Sequence, residues 1–273
     1  MNEILLFKGT ALIYLLATGA FFLYLVLLKD VYARVAPFIL LVGFAVHTAA
    51  LGGQIAHNGF PAVTDLREAL SVYSWLVVGI YLLVQLKYRL TVLGCFVAPL
   101  AFLMALAGLA VGPGGELPPG LKTSWLYIHV TLAFLGNAVF ALAFAVSLMY
   151  LVQESRLKSK RMTALYKLLP SLERLDRLNY IFLVWGFPLM TLGIVTGSLW
   201  AGVYWGAYWS WDPRYIASVI TWLLYATLLQ GRITAGWRGK RAATLTIVGF
   251  VVVLGYFLWG DAVFPSRHTG NFE

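Results

Sequence analysis

Runs of about 20 apolar residues recur along the whole chain, and short segments between them carry most of the charges. A helix of that length crosses a hydrocarbon core about 30 Å thick. The pattern predicts eight spans, near residues 9–28, 36–56, 69–86, 91–111, 123–152, 179–199, 215–231 and 243–261. The alternating strands of about ten residues that mark membrane barrels are absent from the pattern. We therefore expect an all-α polytopic membrane protein with about eight transmembrane helices, forming a single integral membrane domain over residues 1–273.

The basic residues predict the orientation of these spans. Of the 20 Lys and Arg residues, 15 lie in the loops that follow the first, third, fifth and seventh spans. Cytoplasmic loops carry the excess of basic residues, so both termini are expected outside. The basic loop 153–178 is then cytoplasmic, and it also has the composition of a short surface helix. The tryptophan-rich segment, residues 200–214, and the C-terminal tail 262–273 are expected to be external.

The composition mainly excludes other classes of protein and of functional site. The chain is 61% apolar and 11% charged, whereas about a quarter of the residues of a soluble domain are charged. The net charge of +9 therefore reports membrane topology and not a nucleic-acid partner. A single cysteine, Cys95, excludes an internal disulfide and any Cys-x-x-Cys site. The first apolar run lacks a convincing cleavage site, so we interpret it as a retained span.

Four histidines are the main candidates for chemistry. His129 lies about two turns into the fifth span from its outer end, His268 lies in the outer tail, and His57 ends the second span. His47 is about 15 Å deeper than His57, and an ionisable group at that depth is a candidate for function. Each histidine also has a plainer interpretation. It would be hydrogen-bonded at the interface or, for His47, bonded as a neutral ring to a neighbouring helix.

The sequence "WGAYWSWDPR", residues 205–214, adds three tryptophans to the external face. Such a cluster is more often an interfacial anchor than a binding surface. Together with imidazoles, however, it suits a large planar ligand, because indole faces stack on a macrocycle and two imidazoles fill both axial positions of a haem iron. Arg214, Lys122 or Arg267 would then pair with the propionates. Asp212, followed by Pro213, is expected to cap the seventh span at its N-terminus.

Small residues follow His129 on one face of the fifth span. Ala133 and Gly136 lie at the i+4 and i+7 positions from the histidine. The space that they leave would admit either a ring or a close helix neighbour, and ordinary helix packing explains it equally well.

The sequence "WGAYWSWDPRYIASVITWLLYATLL" resembles the WWD signature of the cytochrome c assembly family, whose members include CcsA (ResC), CcmC and CcmF. The segments "GFPAVTDLREALSVYSW", "WLYIHVTLAFLGNAVFALAFAVSLMYL" and "GWRGKRAATLTIVGF" resemble the same family, so the likeness runs from about residue 50 onward. It implies a factor in c-type cytochrome biogenesis that holds haem outside the membrane and presents it to the Cys-x-x-Cys-His of an apocytochrome.

The resemblance also implies roles for individual residues. His129 and His268 match the two external ligands of the haem iron. The matching residues of the haem-binding signature are Trp205, Trp209, Trp211 and Asp212, and secondary candidates are His47, His57 and Arg214. The implied cofactor is b-type haem, held non-covalently. The implied partners are a CcsB/ResB-type membrane protein, apocytochrome c and the lipid bilayer, with no nucleic acid. The implied location is the bacterial inner membrane, with the haem site on the extracytoplasmic side. The protein would be an assembly factor within a cytochrome c synthase complex, and not an enzyme by itself.

Two positions depart from the family pattern. Gln230 stands where a haem-ligating histidine is common, which puts an intramembrane haem site in doubt, and His47 is a substitute at a different depth. Arg67 stands where a tyrosine is common. Two alternative functions therefore stay open, a HemX-like membrane regulator of haem biosynthesis and a haem transporter. A hydrolytic enzyme is not supported, because no nucleophile lies in a recognisable setting.

Overall fold

The computed structural model describes residues 2–58, 66–111, 123–159, 168–209, 211 and 213–263. The description is limited to the backbone at residues 2–3, 57–58, 205, 214 and 257–263. The described chain forms eight helices: α1 Asn2–Leu27, α2 Asp30–Asn58, α3 Leu66–Tyr88, α4 Thr91–Ala110, α5 Ser124–Lys158, α6 Leu172–Trp205, α7 Pro213–Thr234 and α8 Lys240–Val263. Each predicted span falls on one of these helices. The predicted all-α class is confirmed, and seven helices of the described part are long and apolar enough to cross a membrane.

Several predicted boundaries are wrong, since α1, α2, α5 and α6 all extend beyond their predicted spans. Helices α5 and α6 extend beyond their apolar runs, so both ends of the predicted loop 153–178 are helical. Lys, Arg, Glu and Leu, which favour helices, dominate these extensions. Likewise α6 continues to Trp205 and α7 begins at Pro213, which shortens the irregular part of the tryptophan-rich segment. Pro213 is the first helical residue of α7, as predicted.

The residues cluster into two compact units. Unit 1 contains residues 1–114 and 156–170, and unit 2 contains residues 115–155 and 171–273. The prediction of a single domain stays a prediction.

Unit 1 is built from two tight helical hairpins, α1–α2 and α3–α4. Each hairpin turns on a non-glycine residue in the left-handed region, Leu28 at φ 57° and Arg89 at φ 50°. Their amides donate to the carbonyls of Tyr24 and Gln85, which closes the last helical turn. Aromatic side chains fill the core between the helices, and Tyr14 and Phe21 are fully buried.

Unit 2 is organised around α5, whose middle is enclosed on all sides. Its apolar positions from Ala138 to Val146 are buried almost throughout. Phe140 stacks on Tyr225 of α7, with ring centroids 3.8 Å apart, and Phe144 stacks on Phe250 of α8. A helix that is apolar on every face is expected at such a central position.

A network of hydrogen-bonded polar side chains connects the helices of unit 2 near the ends of α5 and α7 and the beginnings of α6 and α8. Both guanidinium nitrogens of Arg232 donate to the carboxylate of Asp176, at 2.8 and 3.2 Å. The side chains of Arg232 and Asp176 are 5% and 17% exposed, so most of this ion pair is withdrawn from solvent. The amide of Gly239 donates to the same carboxylate at 2.8 Å, which fixes the loop before α8.

Asn179 extends this network across the other helices. Its amide nitrogen donates to Ser147 of α5 at 2.8 Å and to Thr246 of α8 at 3.0 Å. Its carbonyl oxygen accepts from Arg232 at 3.2 Å. Four helices therefore meet at one set of hydrogen-bonded side chains, which offsets the cost of placing polar groups in the interior.

Candidate functional site

The part of the tryptophan-rich segment that follows Trp205 folds back on the end of α6. Gly206 ends the helix in the left-handed region, with φ 71°, which a residue with a Cβ adopts less readily. The ring of Tyr208 lies directly on Gly202, where a Cβ would come within 2.3 Å of it. The hydroxyl of Ser198 donates to the carbonyl of Tyr208. These contacts hold the segment against the two last turns of α6.

Two tryptophans of this segment present open surface. Trp209 is 43% exposed and Trp211 is 80% exposed. Their rings are nearly perpendicular, at 89° with centroids 5.6 Å apart, and Trp209 also meets Tyr215 of α7 edge-on. Edge-to-face packing of this kind fixes ring orientation while leaving one face open. The pair therefore offers apolar ring faces, of which one can stack on a planar ligand while the other ring borders it.

His129 lies against α6, about two turns below Trp205. Its Nδ1 is 2.7 Å from the carbonyl oxygen of Gly193. A carbonyl can only accept, so Nδ1 carries the proton, and in the neutral ring Nε2 keeps the lone pair. Histidines that bind metals usually donate their other ring N–H to such an acceptor, which fixes the tautomer and the ring orientation. The donor chemistry of His129 thus suits a haem iron.

Small residues let the His129 ring approach the backbone of α6. A Cβ on Gly197 would lie 2.5 Å from the ring. The same closeness continues down the two antiparallel helices, with Ala133 against Gly193 and Gly136 against Met190. The small residues after His129 therefore admit a neighbouring helix, which is the packing alternative that the sequence left open.

Trp200 was not singled out from the sequence, although it lies within the tryptophan-rich segment. It is 8% exposed and stacks on Tyr204. Its Nε1 donates at 3.2 Å to the hydroxyl of Thr123, which also accepts from the amide of Leu126 at the start of α5. Trp200 therefore joins the ends of α5 and α6 that carry His129 and the exposed tryptophans.

Gly193 and Gly197 were also missed. Their four-residue spacing is a small-x-x-x-small pattern that was available as a signal for close helix packing. The pattern does not by itself say which side chain of a neighbour fills the space.

Several predicted site residues are not tested by these contacts. His268 and Asp212 lie outside the described residues, as does the predicted cap by Asp212. The side chains of Trp205, Arg214 and His57 also lie outside the described part of the chain, so their roles stay predictions.

His47 is fully buried in unit 1. Its Nδ1 is hydrogen-bonded to the Tyr14 hydroxyl at 3.2 Å, and its Nε2 to the Ser71 hydroxyl at 3.0 Å. Both ring nitrogens are therefore engaged by neighbouring helices. This arrangement supports a structural role, while a secondary haem-binding role for His47 stays a prediction.

Gln230, the departure on α7, is exposed. Its backbone carbonyl accepts from the hydroxyl of Thr234.

Comparison with known proteins identifies the family. A sequence model of one family, described as Cytochrome C assembly protein, matches residues 63–260, which is most of this chain. The chain belongs to the cytochrome c assembly family. The predicted resemblance is thereby confirmed.

Three relatives of this chain carry the same name. "Cytochrome c biogenesis protein CcsA" of Guillardia theta is 31% identical over 242 residues, covering 81% of this chain and 80% of the relative. The CcsA of Porphyra purpurea is 33% identical over 252 residues, covering 78% and 79%. That of Gloeobacter violaceus is 31% identical over 269 residues, covering 79% of each.

A solved structure shares the fold. The "Cytochrome c Heme Lyase CcmF" superposes with a TM-score of 0.65 over 96% of this chain, at 19% sequence identity. This chain spans half the length of that structure. At this identity the likeness concerns the fold alone.

Proposed function

We propose that this protein holds haem on the extracytoplasmic side of a bacterial inner membrane and presents it to apocytochrome c during c-type cytochrome biogenesis. Membership of the cytochrome c assembly family and the names of the relatives support the pathway. The single observation that carries the haem site is the bond from His129 Nδ1 to the Gly193 carbonyl, which leaves Nε2 as the basic nitrogen of the neutral ring.

The proposed site uses each residue for one task. His129 supplies one axial ligand to the iron, and His268 supplies the other. Trp209 and Trp211, with Trp205 and Asp212 of the same signature, form the surface on which the macrocycle lies. Haem is b-type, non-covalently held cargo, and the porphyrin and the acceptor's cysteine thiols make the bonds during attachment.

In this proposal the chain is an assembly factor and not an enzyme by itself. It acts within a cytochrome c synthase complex, together with a CcsB/ResB-type membrane protein that brings the acceptor to the site. The tryptophan faces would exclude water from one side of the macrocycle, and the two imidazoles would ligate the iron while haem is held for the acceptor.

The test is the absorption spectrum of the protein purified from haem-replete cells. We expect the wild-type protein to show a bis-histidine haem spectrum. Both this spectrum and cytochrome c maturation should be lost in His129→Ala and in His268→Ala. Trp211→Ala should reduce haem content severalfold, whereas Trp185→Ala, which removes a 68% exposed tryptophan from the middle of α6, should not.

His47→Ala tests the secondary candidate, whose two ring nitrogens are already hydrogen-bonded to Tyr14 and Ser71. It should keep the haem spectrum while lowering stability, because it leaves two buried hydroxyls without their partner. Unchanged haem content and maturation in both outer-histidine variants would refute the proposed site.

The two alternatives predict different results. For a HemX-like regulator, deleting the gene would change haem synthesis while c-type cytochromes still mature. A transporter commonly unwinds helices at a mid-membrane site. Here α4 and α6 run without interruption through Pro99 and Pro188, and this continuity favours a haem-presenting platform over a carrier.

A further inference from the structure

Helices α7 and α8 leave an open groove of about 770 Å³ on the surface of unit 2. Apart from three residues at one end, its lining residues are Ile220, Leu223, Leu224 and Thr227 of α7 and Thr244 and Leu245 of α8. Ile220 is 46% and Leu223 is 52% exposed, so the groove opens to the surroundings of the chain. From Ile220 to the end of α7 the helix rises about 21 Å, which exceeds the roughly 15 Å depth of one leaflet of the hydrocarbon core.

The remaining three lining residues form a cationic end. Lys240 and Arg241 begin α8 and are exposed, and Trp237 lies in the loop before them. The guanidinium of Arg241 lies 3.6 Å from the centroid of the Trp237 ring. That ring rests on Gly231, where a Cβ would come within 2.4 Å of it. The stacked pair is thus held in place at the end of the groove.

The chemistry along the groove is complementary to an amphipathic anion, which has an apolar part and a negatively charged group. No acidic residue is among those that line it, so two cations face the opening without a lining carboxylate to neutralise them. Lys and Arg bind phosphate oxygens by charge-assisted hydrogen bonds, and tryptophan favours the depth of the lipid headgroups. An apolar helix of a partner would fill the groove and contact its apolar walls, but it would leave the two cations without a counter-charge.

We propose that this groove binds an anionic phospholipid, with its phosphate at Lys240 and Arg241 and an acyl chain along α7 and α8. The positive-inside prediction assigns the lipid to the cytoplasmic leaflet, whose surface is anionic. The site uses none of the residues of the proposed haem site, so either proposal can fail without the other.

Native mass spectrometry of the purified protein tests this site. The probes are dioleoyl-phosphatidylglycerol and dioleoyl-phosphatidylcholine, which have the same acyl chains and differ in net charge. We expect tighter binding of phosphatidylglycerol and a roughly 30-fold loss of that binding in the double variant Lys240→Gln/Arg241→Gln, from two surface cations. Lys29→Gln/Arg34→Gln is the matched control, because it removes two exposed basic residues on the same predicted face, Lys29 in the turn before α2 and Arg34 in its first turns.

Further variants separate the groove from its cationic end. Thr227→Trp fills the groove and should weaken binding of both lipids, whereas Arg241→Lys keeps the charge and should retain most of the preference for phosphatidylglycerol. If the double variant unfolds on heating more readily than the wild type, the single variants Lys240→Gln and Arg241→Gln should each weaken phosphatidylglycerol binding about fivefold.

Three results would overturn the proposal. The first is equal phosphatidylglycerol binding by the double variant and the Lys29/Arg34 control. The second is displacement of the lipid by soluble glycerol phosphate at similar concentration, which would indicate an anion site without acyl recognition. The third is a dimer that Thr227→Trp dissociates, which would make the groove a contact between two copies.

Discussion

At the scale of single residues, His129 illustrates how a backbone contact fixes which ring nitrogen of a histidine carries the proton. A histidine ring has two tautomers, and the Gly193 carbonyl selects the one with the proton on Nδ1. The ring reaches that carbonyl because Gly197 has no side chain in its way. Two glycines of α6 therefore fix the tautomer and the position of the His129 ring, whose Nε2 is the proposed iron ligand.

This arrangement predicts the effect of Gly197→Ala. The added methyl would lie 2.5 Å from the His129 ring, so the ring must turn away from Gly193. We expect haem content to fall severalfold and stability to drop by about 1–3 kcal/mol, as for overpacking. Haem absorbance per protein and a denaturant titration measure the two effects.

Gly255→Ala is the control for this substitution. A Cβ there meets nothing within 4 Å, and Gly255 also lies in a helix of unit 2. Equal effects of the two alanines would contradict a specific role for Gly197.

The role of His129 was predicted from its place in the chain and from the family resemblance, but its partner was not. A residue's depth in a membrane follows from counting along a helix. Which carbonyl it meets depends on the register between α5 and α6, and the periodicity of either helix alone does not contain that register. The hydrogen bonds of His47 escaped prediction for the same reason.

At the scale of helices and loops, the ion pair of Asp176 and Arg232 fixes how four helices end together. From the sequence, Asp176 and Arg232 were each assigned to a cytoplasmic loop, because a count of charges along the chain treats charged residues as solvent-exposed. The structure instead buries the pair among helix ends and satisfies it with Asn179 and the Gly239 amide. Burial of this kind depends on tertiary contacts, which a charge count does not include.

We therefore predict that Arg232→Ala destabilises the protein strongly. The substitution leaves the Asp176 carboxylate buried without its counter-charge, at a cost of about 3–5 kcal/mol. Arg232→Lys should recover part of the lost stability, because lysine restores the positive charge but not the bidentate hydrogen bonding. Thermal unfolding in detergent measures the difference.

Arg238→Ala serves as the control, because Arg238 is an exposed arginine in the adjoining loop. It should change stability by less than about 0.5 kcal/mol. A similar loss in both variants would show that the ion pair is not what stabilises this end of unit 2.

At the scale of the whole molecule, the number of long helices in the described part of the chain was predictable, because each apolar run must be wound into a helix to satisfy its backbone in lipid. The ends were less predictable, because the long helices α5 and α6 continue past the apolar runs. The grouping into two compact units depends on which helix faces meet, and hydropathy does not distinguish between faces of helices that are apolar all round.

The orientation of the molecule gives a prediction that is independent of haem. In a Cys95→Ala background, Trp211→Cys should react with a membrane-impermeant maleimide in intact cells. Arg238→Cys should react only after the membrane is opened. Both positions are exposed, so access to the reagent is decided by the side of the membrane. The reverse labelling pattern would contradict the positive-inside assignment and the external location of the tryptophan-rich segment.

The close packing of α5 against α6 has a consequence for how such chains can change in length. Phe140 packs on Gly186 as His129 packs on Gly197, so equal stretches of the two helices separate the first contact from the last. One residue inserted into either stretch would rotate everything beyond it by about 100° and carry those side chains off the shared seam. Insertions or deletions there should be tolerated only as compensating pairs, one in each helix. Relatives that differ in length within one stretch should therefore differ by the same number of residues in the other.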